Sequence, residues 1–323
     1  MLIASGGDTL IDIIINCDNI SKVNIYVIDN SLSQIILTIF KIFILLELSV
    51  HYDELITLLN LKNNLPNKSI TFFDIMYNDN NNIKYVVLID HLHNKYKYLE
   101  FSKYLLYWKK ENYLNILNAG VLREGQLEKT FFHLMEISDL CFEKFFNYDT
   151  LKNIFGESAI KLSINSENNF IEKFKSIYNN YINKYSINTH ENRFYYRMVN
   201  GRDNQDIINN IIMKFNDVNP MLILPNINFL YDDIYRYAEN LQCVNSDSHY
   251  SNFNENNISK MRANIQKYDF IQVSNVTDWL CEYDRVDNFV KNIFNLCKFN
   301  GFALWRSLNG QYDLINLLKK TLF

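Results

Sequence analysis

The sequence predicts an α/β fold with a doubly wound, mainly parallel sheet, and three observations carry that reading. Short strand-like runs alternate with helical runs at both ends of the chain, a pattern that builds parallel sheets through right-handed crossovers. The first strand-like run passes directly into Ser5-Gly6-Gly7-Asp8, a glycine turn ahead of a helix. The second closes on a carboxylate, Asp29.

Taken in order, residues 2–4 read as an apolar strand, the helix begins near residue 9, and residues 24–28 form the second strand. Asn30-Ser31-Leu32-Ser33 then supplies side chains that cap a helix running to about residue 49. Its most apolar part, residues 35–50, is short of the ~20 residues that cross a bilayer and carries Lys41 and Glu47. That run is apolar nearly all round, so it is expected beneath the sheet.

Residues 51–219 show mostly helical periodicity interrupted by Asn-rich breaks, with 86–89 open between a strand and a helix start. The sheet is expected to resume at 220. Residues 228–240 read as a helix and 241–245 as the third strand, leading into Ser246-Asp247-Ser248. A helix over 257–266, a strand over 268–274 and a helix over 285–298 follow, the last with Val286, Phe289, Ile293 and Phe294 inward. A strand over 301–305 and a helix over 312–323 close the chain. The expected organisation is therefore 1–50 and 220–323 as two parts of one sheet domain, with 51–219 as a helical insertion after the second strand.

Composition narrows the function classes. Hydrophobic residues make up 48% of 323, enough for a sizeable core. A formal charge of -4 gives no broad field to attract nucleic acid. The five cysteines form no C-x-x-C pair, which suits reduced thiols in a cytoplasmic protein. Met1 leads straight into a strand and a glycine turn, so no secretory signal is expected, and the short, charge-bearing 35–50 run is not expected to be a transmembrane helix. Asp90-His91-Leu92-His93 would aim both histidines one way only on a strand and lacks a third ligand, so no metal is expected. No G-x-S-x-G elbow supports serine hydrolysis.

Glycines at a strand-to-helix turn admit a ligand close to the backbone, and a carboxylate ending the next strand can accept both hydroxyls of a ribose. Together, Ser5, Gly6, Gly7, Asp8 and Asp29 suggest a nucleoside-bearing cofactor. The absence of G-x-G-x-x-G argues against NAD and ATP and tolerates S-adenosyl-L-methionine, which has no phosphate. In that site Asp8 would pair with the ammonium group and Asp29 with the ribose, Asn30 and Gln34 lying on the same segment. Asp247 is a candidate for the adenine amino group, with a cap or loop role as its alternative. Ser274 and Asn275 follow the 268–274 strand and complete the cofactor set.

Several blocks carry a family resemblance. SGGDTL (5–10), VIDNSLSQ (27–34), an apolar helix ending LLEL, YWKKENYLNILNAGVLREGQLEKTFF (107–132), YDFIQVSNVTDWL (268–280) and GFALWRS (301–307) occur in this order. In these blocks the chain resembles the betaine-lipid synthase (BtaA-type) family of S-adenosylmethionine:diacylglycerol 3-amino-3-carboxypropyltransferases. The resemblance implies a Rossmann-like fold of the S-adenosylmethionine-dependent transferase type. It also implies transfer of the 3-amino-3-carboxypropyl group to the hydroxyl of diacylglycerol or a related acceptor, with release of methylthioadenosine.

Such a transfer needs in-line orientation and removal of a hydroxyl proton. Asp278 is the candidate base; capping the next helix or binding the ammonium is its alternative. Arg123 and Glu128, in the recurring GVLREGQLE block, would line the acceptor side, or form a turn and cap. Trp305 and Arg306 end the last strand, where Arg306 would hold a carboxylate or lipid phosphate or make a surface ion pair. A lipid acceptor implies peripheral contact with a membrane surface. Phe145, Phe146, Phe194, Tyr195 and Tyr196 beside Arg193, Arg197 and Arg202 fit that role, with core packing as the alternative.

Two rival functions stand beside this one. A methyltransferase would use the same cofactor on the same fold. Members of the family carry a segment ahead of the first strand whereas Met1 here opens on it, so a non-catalytic binding module is the second rival.

Overall fold

The computed structural model describes residues 1–63, 85–110, 205–243, 267–274 and 283–305. Five strands form one all-parallel sheet: β1 (Leu2–Ile3), β2 (Ile25–Asp29), β3 (Ile227–Tyr231), β4 (Tyr268–Ser274) and β5 (Cys297–Trp305), in the order β3-β2-β1-β4-β5. The order reverses direction at β1, the central strand. Asp29 lies opposite Tyr231, Ile3 opposite Ile28, and Ser274 opposite Trp305. The protein is therefore α/β, with every strand ending on the same edge.

Helices cover both faces. One face packs on α1 (Asp8–Asn16), α2 (Leu32–Val50), α3 (Tyr52–Asn63), α4 (Tyr85–Lys95) and a 3-10 turn over Glu100–Leu106 leading into α5 (Tyr107–Lys110). The same layer includes α6 (Gln205–Asp217) and α7 (Pro220–Ile223). The other face packs on α8 (Ile234–Cys243) and α9 (Tyr283–Leu296). The split follows from strand alternation: Leu2, Ala4, Ile25 and Val27 face the first layer, and Met1, Ile3, Tyr26 and Ile28 the second.

The central helix, α2, begins where Ser31 leaves helical geometry and its N–H is held by Asp29 Oδ1 at 2.9 Å. From Ile35 to Leu48 every residue is buried, Lys41 and Glu47 included. At 19 residues the helix has the length and apolar composition of a membrane span, longer than the run read from sequence. Within the fold 78% of that apolar window is buried.

Several sequence expectations are corrected here. Residues 241–243 belong to α8, and the third strand is Ile227–Tyr231, inside the stretch expected to be a helix. INFLY has the aromatic and β-branched content of a strand, while the Asp232-Asp233 pair that follows caps α8: Asp233 Oδ1 accepts from the Tyr235 N–H at 2.8 Å. Residues 85–95 settle as helix. In α9, Val286, Phe289, Val290, Ile293 and Leu296 are inward, whereas Phe294 is exposed. Tyr98 is also exposed, whereas Phe101, Leu105 and Trp108 are buried. β5 starts earlier than expected, and its pairing slips between Cys297 and Phe302. Asn300 takes a positive φ at that irregularity, and a Cβ on Gly301 would sit 3.0 Å from the carbonyl oxygens of Lys298 and Tyr268.

Between β2 and β3 the described residues are helical, apart from short connections. The expected helices over 257–266 and 312–323 lie outside the described residues.

Candidate functional site

Because all strands are parallel, the residues that end them share one edge, and the order reverses between β1 and β4, the place where ligands usually bind in such sheets. At β1 that edge is the glycine turn. Gly6 and Gly7 have φ of 75° and 92°, a conformation in which L side chains are strained. The Gly7 N–H closes the turn on the Ala4 carbonyl at 2.8 Å.

The turn is packed against α2. A Cβ on Gly7 would lie 3.1 Å from Thr38 Cα and Cγ2, and one on Gly6 would meet Gln34 Oε1 at 3.7 Å and Lys41 Nζ at 4.0 Å. Gly7 therefore has a structural reason to be glycine in the approach of α2, and Gly6 in its positive φ. The Thr38 hydroxyl, 3.2 Å from that Gly7 Cβ position, donates back to the Gln34 carbonyl at 2.7 Å.

Asp8 opens α1 and is nearly buried, at 7% exposure. The Lys41 ammonium stands 3.4 Å from its Oδ2 and is itself 1% exposed. A carboxylate in the first turn of a helix also meets the positive end of the helix dipole. Asp8 thus already has a cationic partner from the protein, the role that sequence reading gave to a ligand ammonium.

Asp29 ends β2 beside this turn. Its Oδ1 accepts the Ser31 N–H, and its carbonyl accepts the Asp232 N–H at 3.1 Å. Asp232 and Asp233 therefore gather next to Asp29, a pair of carboxylates that sequence reading passed over because the strand before them was taken as helix. The correction also moves Asp247: it no longer follows the third strand, and it lies outside the described residues.

At the β1–β4 junction Gln272 is fully buried, and its Oε1 accepts the Ile3 N–H at 3.3 Å. That contact fixes the amide's orientation, since a donor faces the oxygen. Its Nε2 has no hydrogen-bond partner among the described residues, which would be costly for a buried donor. Trp305 ends β5 half-buried, and its Nε1 likewise lacks a partner among the described residues.

The structure thus brings Gly6, Gly7, Asp8, Gln34 and Asp29 together at the ends of β1 and β2, with the Ser5 backbone in the same turn and Asn30 next in chain. Ser274 and Trp305 end the neighbouring strands on that edge. Asn275, Asp278, Arg306, Arg123 and Glu128, and the aromatic–arginine group 145–202, lie outside the described residues. The chain matches no protein-family model, no curated protein and no solved structure.

His91 and His93 diverge because they lie on α4. His91 Nε2 faces Glu54 at 3.9 Å, while His93 Nδ1 meets the Ser102 carbonyl at 3.0 Å. No group of three or more metal-ligating side chains occurs among the described residues. Cys17 and Cys297 are free thiols, both half-buried.

Proposed function

We propose that the carboxyl edge binds S-adenosyl-L-methionine on a Rossmann-like sheet and that the protein is a 3-amino-3-carboxypropyltransferase acting on a diacylglycerol or a related hydroxyl acceptor. The observation carrying the reading is the adjacency of the positive-φ glycine turn and Asp29 at the ends of neighbouring strands, beside the point where strand order reverses. The Gln272 Nε2, a buried donor without a partner among the described residues, supports it. The large helical segment between β2 and β3 is then an insertion on the acceptor side, and a lipid acceptor brings the protein to a membrane surface.

One observation favours the non-catalytic module instead. The Cβ side of both glycines is occupied by α2, and Asp8 is engaged by Lys41. Titration calorimetry with S-adenosyl-L-methionine separates the readings: saturable binding that an Asp29→Ala chain loses, at an unchanged melting temperature, supports a working pocket. Absence of binding by the wild-type chain removes the transferase. Product analysis then tells the chemistries apart, methylthioadenosine marking aminocarboxypropyl transfer and S-adenosylhomocysteine a methyltransferase. A homoserine ether on diacylglycerol in expressing cells identifies donor and acceptor together.

A further inference from the structure

At the opposite edge of the sheet a cavity of about 710 Å³ opens between α1 and the starts of β1, β2 and β4, within the size range that holds small organic ligands. It stands on its own observations and owes nothing to the cofactor reading. Its apolar surface comes from Leu2, Ile13, Val23 and the ring of Phe270, the last two partly open to solvent. Its polar lining includes Thr9, Asp12, Asn16, Asn24 and Asp269 beside three lysines. Lys298 is paired with Asp269 at 2.8 Å, whereas Lys22 and Lys267 line the cavity with no ion-pair partner among the described residues.

With Lys298 and Asp269 paired, Lys22 and Lys267 face the single further carboxylate Asp12, so the lining keeps a net positive charge over an apolar floor, which suits an apolar body ending in an anion. A neutral apolar ligand would leave the lysines unused, and a cation would meet them at a like-charge cost. We infer that this amino-edge cavity binds a single-chain anionic amphiphile, a carboxylate or a phosphate monoester carrying a short alkyl tail. The tail lies against Ile13, Val23 and Phe270, and the head is held by Lys22 and Lys267. Both lysines are exposed at the surface, so their replacement leaves the core untouched.

The test uses the full chain and 11-(dansylamino)undecanoate, whose fluorescence rises in an apolar site. Saturable binding is expected, displaced by decanoate and by decyl phosphate below their micelle concentrations. The more effective of the two identifies the head group. Decanol and decyltrimethylammonium should compete at least tenfold less well. A Lys22→Met/Lys267→Met chain should bind the probe at least tenfold more weakly, and Val23→Trp, which fills the cavity from its exposed rim, should abolish binding at an unchanged melting temperature. Asp29→Ala and added S-adenosyl-L-methionine should leave probe binding as it was, which keeps this site's failure separate from that of the other edge. Equal competition by decanol, indifference to both lysines, or no saturable binding each overturns the inference.

Discussion

The two faces of the sheet are held by opposite means. On the face of α1 and α2 the core contains charges: Asp8, Lys41 and Glu47 are all buried there. On the face of α8 and α9 the buried side chains are apolar save Asn292, and the charges stand outside, as in the Asp287–Lys291 pair at 2.6 Å. The difference follows from the helices themselves. In α9 apolar residues recur at helical spacing along one stripe, so burying that stripe fixes its rotation. In α2 nearly every side is apolar, and hydrophobic burial alone would tolerate several rotations and slides. Lys41 meeting Asp8, and Glu47 meeting Lys95 at 3.0 Å and the Tyr96 hydroxyl, select one of them. That choice seats Thr38 on Gly7 and so shapes the candidate site.

The largest effect should come from breaking the deeper pair. Asp8→Asn removes a buried counter-charge from beside the 1%-exposed Lys41, at a cost of about 3–5 kcal/mol. That corresponds to a melting temperature lower by roughly 10 °C in a chain of this size. Replacing both partners, Asp8→Leu with Lys41→Met, should restore most of the loss while making α2's rotation less well defined. Thermal unfolding measures the first effect, and the dispersion of amide resonances from α2 the second. A double variant no more stable than Asp8→Asn would show that the pair supplies stability and does not only choose the rotation.

Next comes the glycine turn that this rotation positions. Gly7→Ala combines a positive φ with a Cβ 3.1 Å from the Thr38 backbone, and should cost about 2–4 kcal/mol from strain and overpacking together. Gly6→Ala has a similar φ but ordinary contacts of 3.7 Å and beyond, so only the conformational penalty of about 1–2 kcal/mol remains. Urea unfolding of the two variants checks the order. If they lose the same, α2 is not the reason that Gly7 is glycine.

At the other end of α2, Tyr96 stacks on Phe43 at 4.5 Å and donates its hydroxyl to Glu47. Burial, reinforced by the neighbouring Glu47 charge, holds this phenol protonated far above the ordinary range. A raised phenol pKa means that the folded chain keeps a proton the unfolded one gives up. The associated stability is complete below the ordinary tyrosine value of about 10 and is lost as pH rises beyond it. Tyr96→Phe should therefore cost about 1–3 kcal/mol at neutral pH, and its melting temperature should fall less steeply than the wild type's above pH 10. Tyr268, raised by burial in the same direction, is present in both chains and cancels in the difference. Parallel slopes for the two chains would remove Tyr96 from the account.

The same contrast explains what could be read from the chain alone. The amphipathic α9, the strand 268–274 and the buried nature of α2 were legible because period and composition are local properties. So was the gathering of the glycine turn, Asp29 and Gln34, since a parallel sheet brings successive strand ends to one edge. The partners were not legible. Nothing near Asp8 in sequence announces Lys41, 33 residues away, although a lysine inside an apolar helix was a sign that some carboxylate awaited it. Asp232 and Asp233 were missed because INFLY was absorbed into a helix, which displaced the third strand to 241–245. The amino-edge cavity carries no motif at all, its lysines being assembled by the fold from three distant stretches.

The smallest expected effect closes the contrast. Asp287 and Lys291 face each other one turn apart on the outside of α9, with 25% and 49% of their side chains exposed. Water screens such a pair, and two long side chains must be ordered to form it, so i,i+4 pairs are worth about 0.3–0.5 kcal/mol. Asp287→Asn should lower stability by no more than that, and the deficit should vanish in 1 M salt, where charges interact over only ~3 Å. Asp8→Asn, by contrast, should keep its deficit in salt, because ions cannot reach a pair that the helix and the glycine turn enclose. Urea titrations of both variants at low and high salt put the two faces side by side. If the Asp287 variant lost as much as the Asp8 variant, or if salt erased both losses, the charges on the α2 face would be ordinary surface pairs and would not set the rotation of that helix.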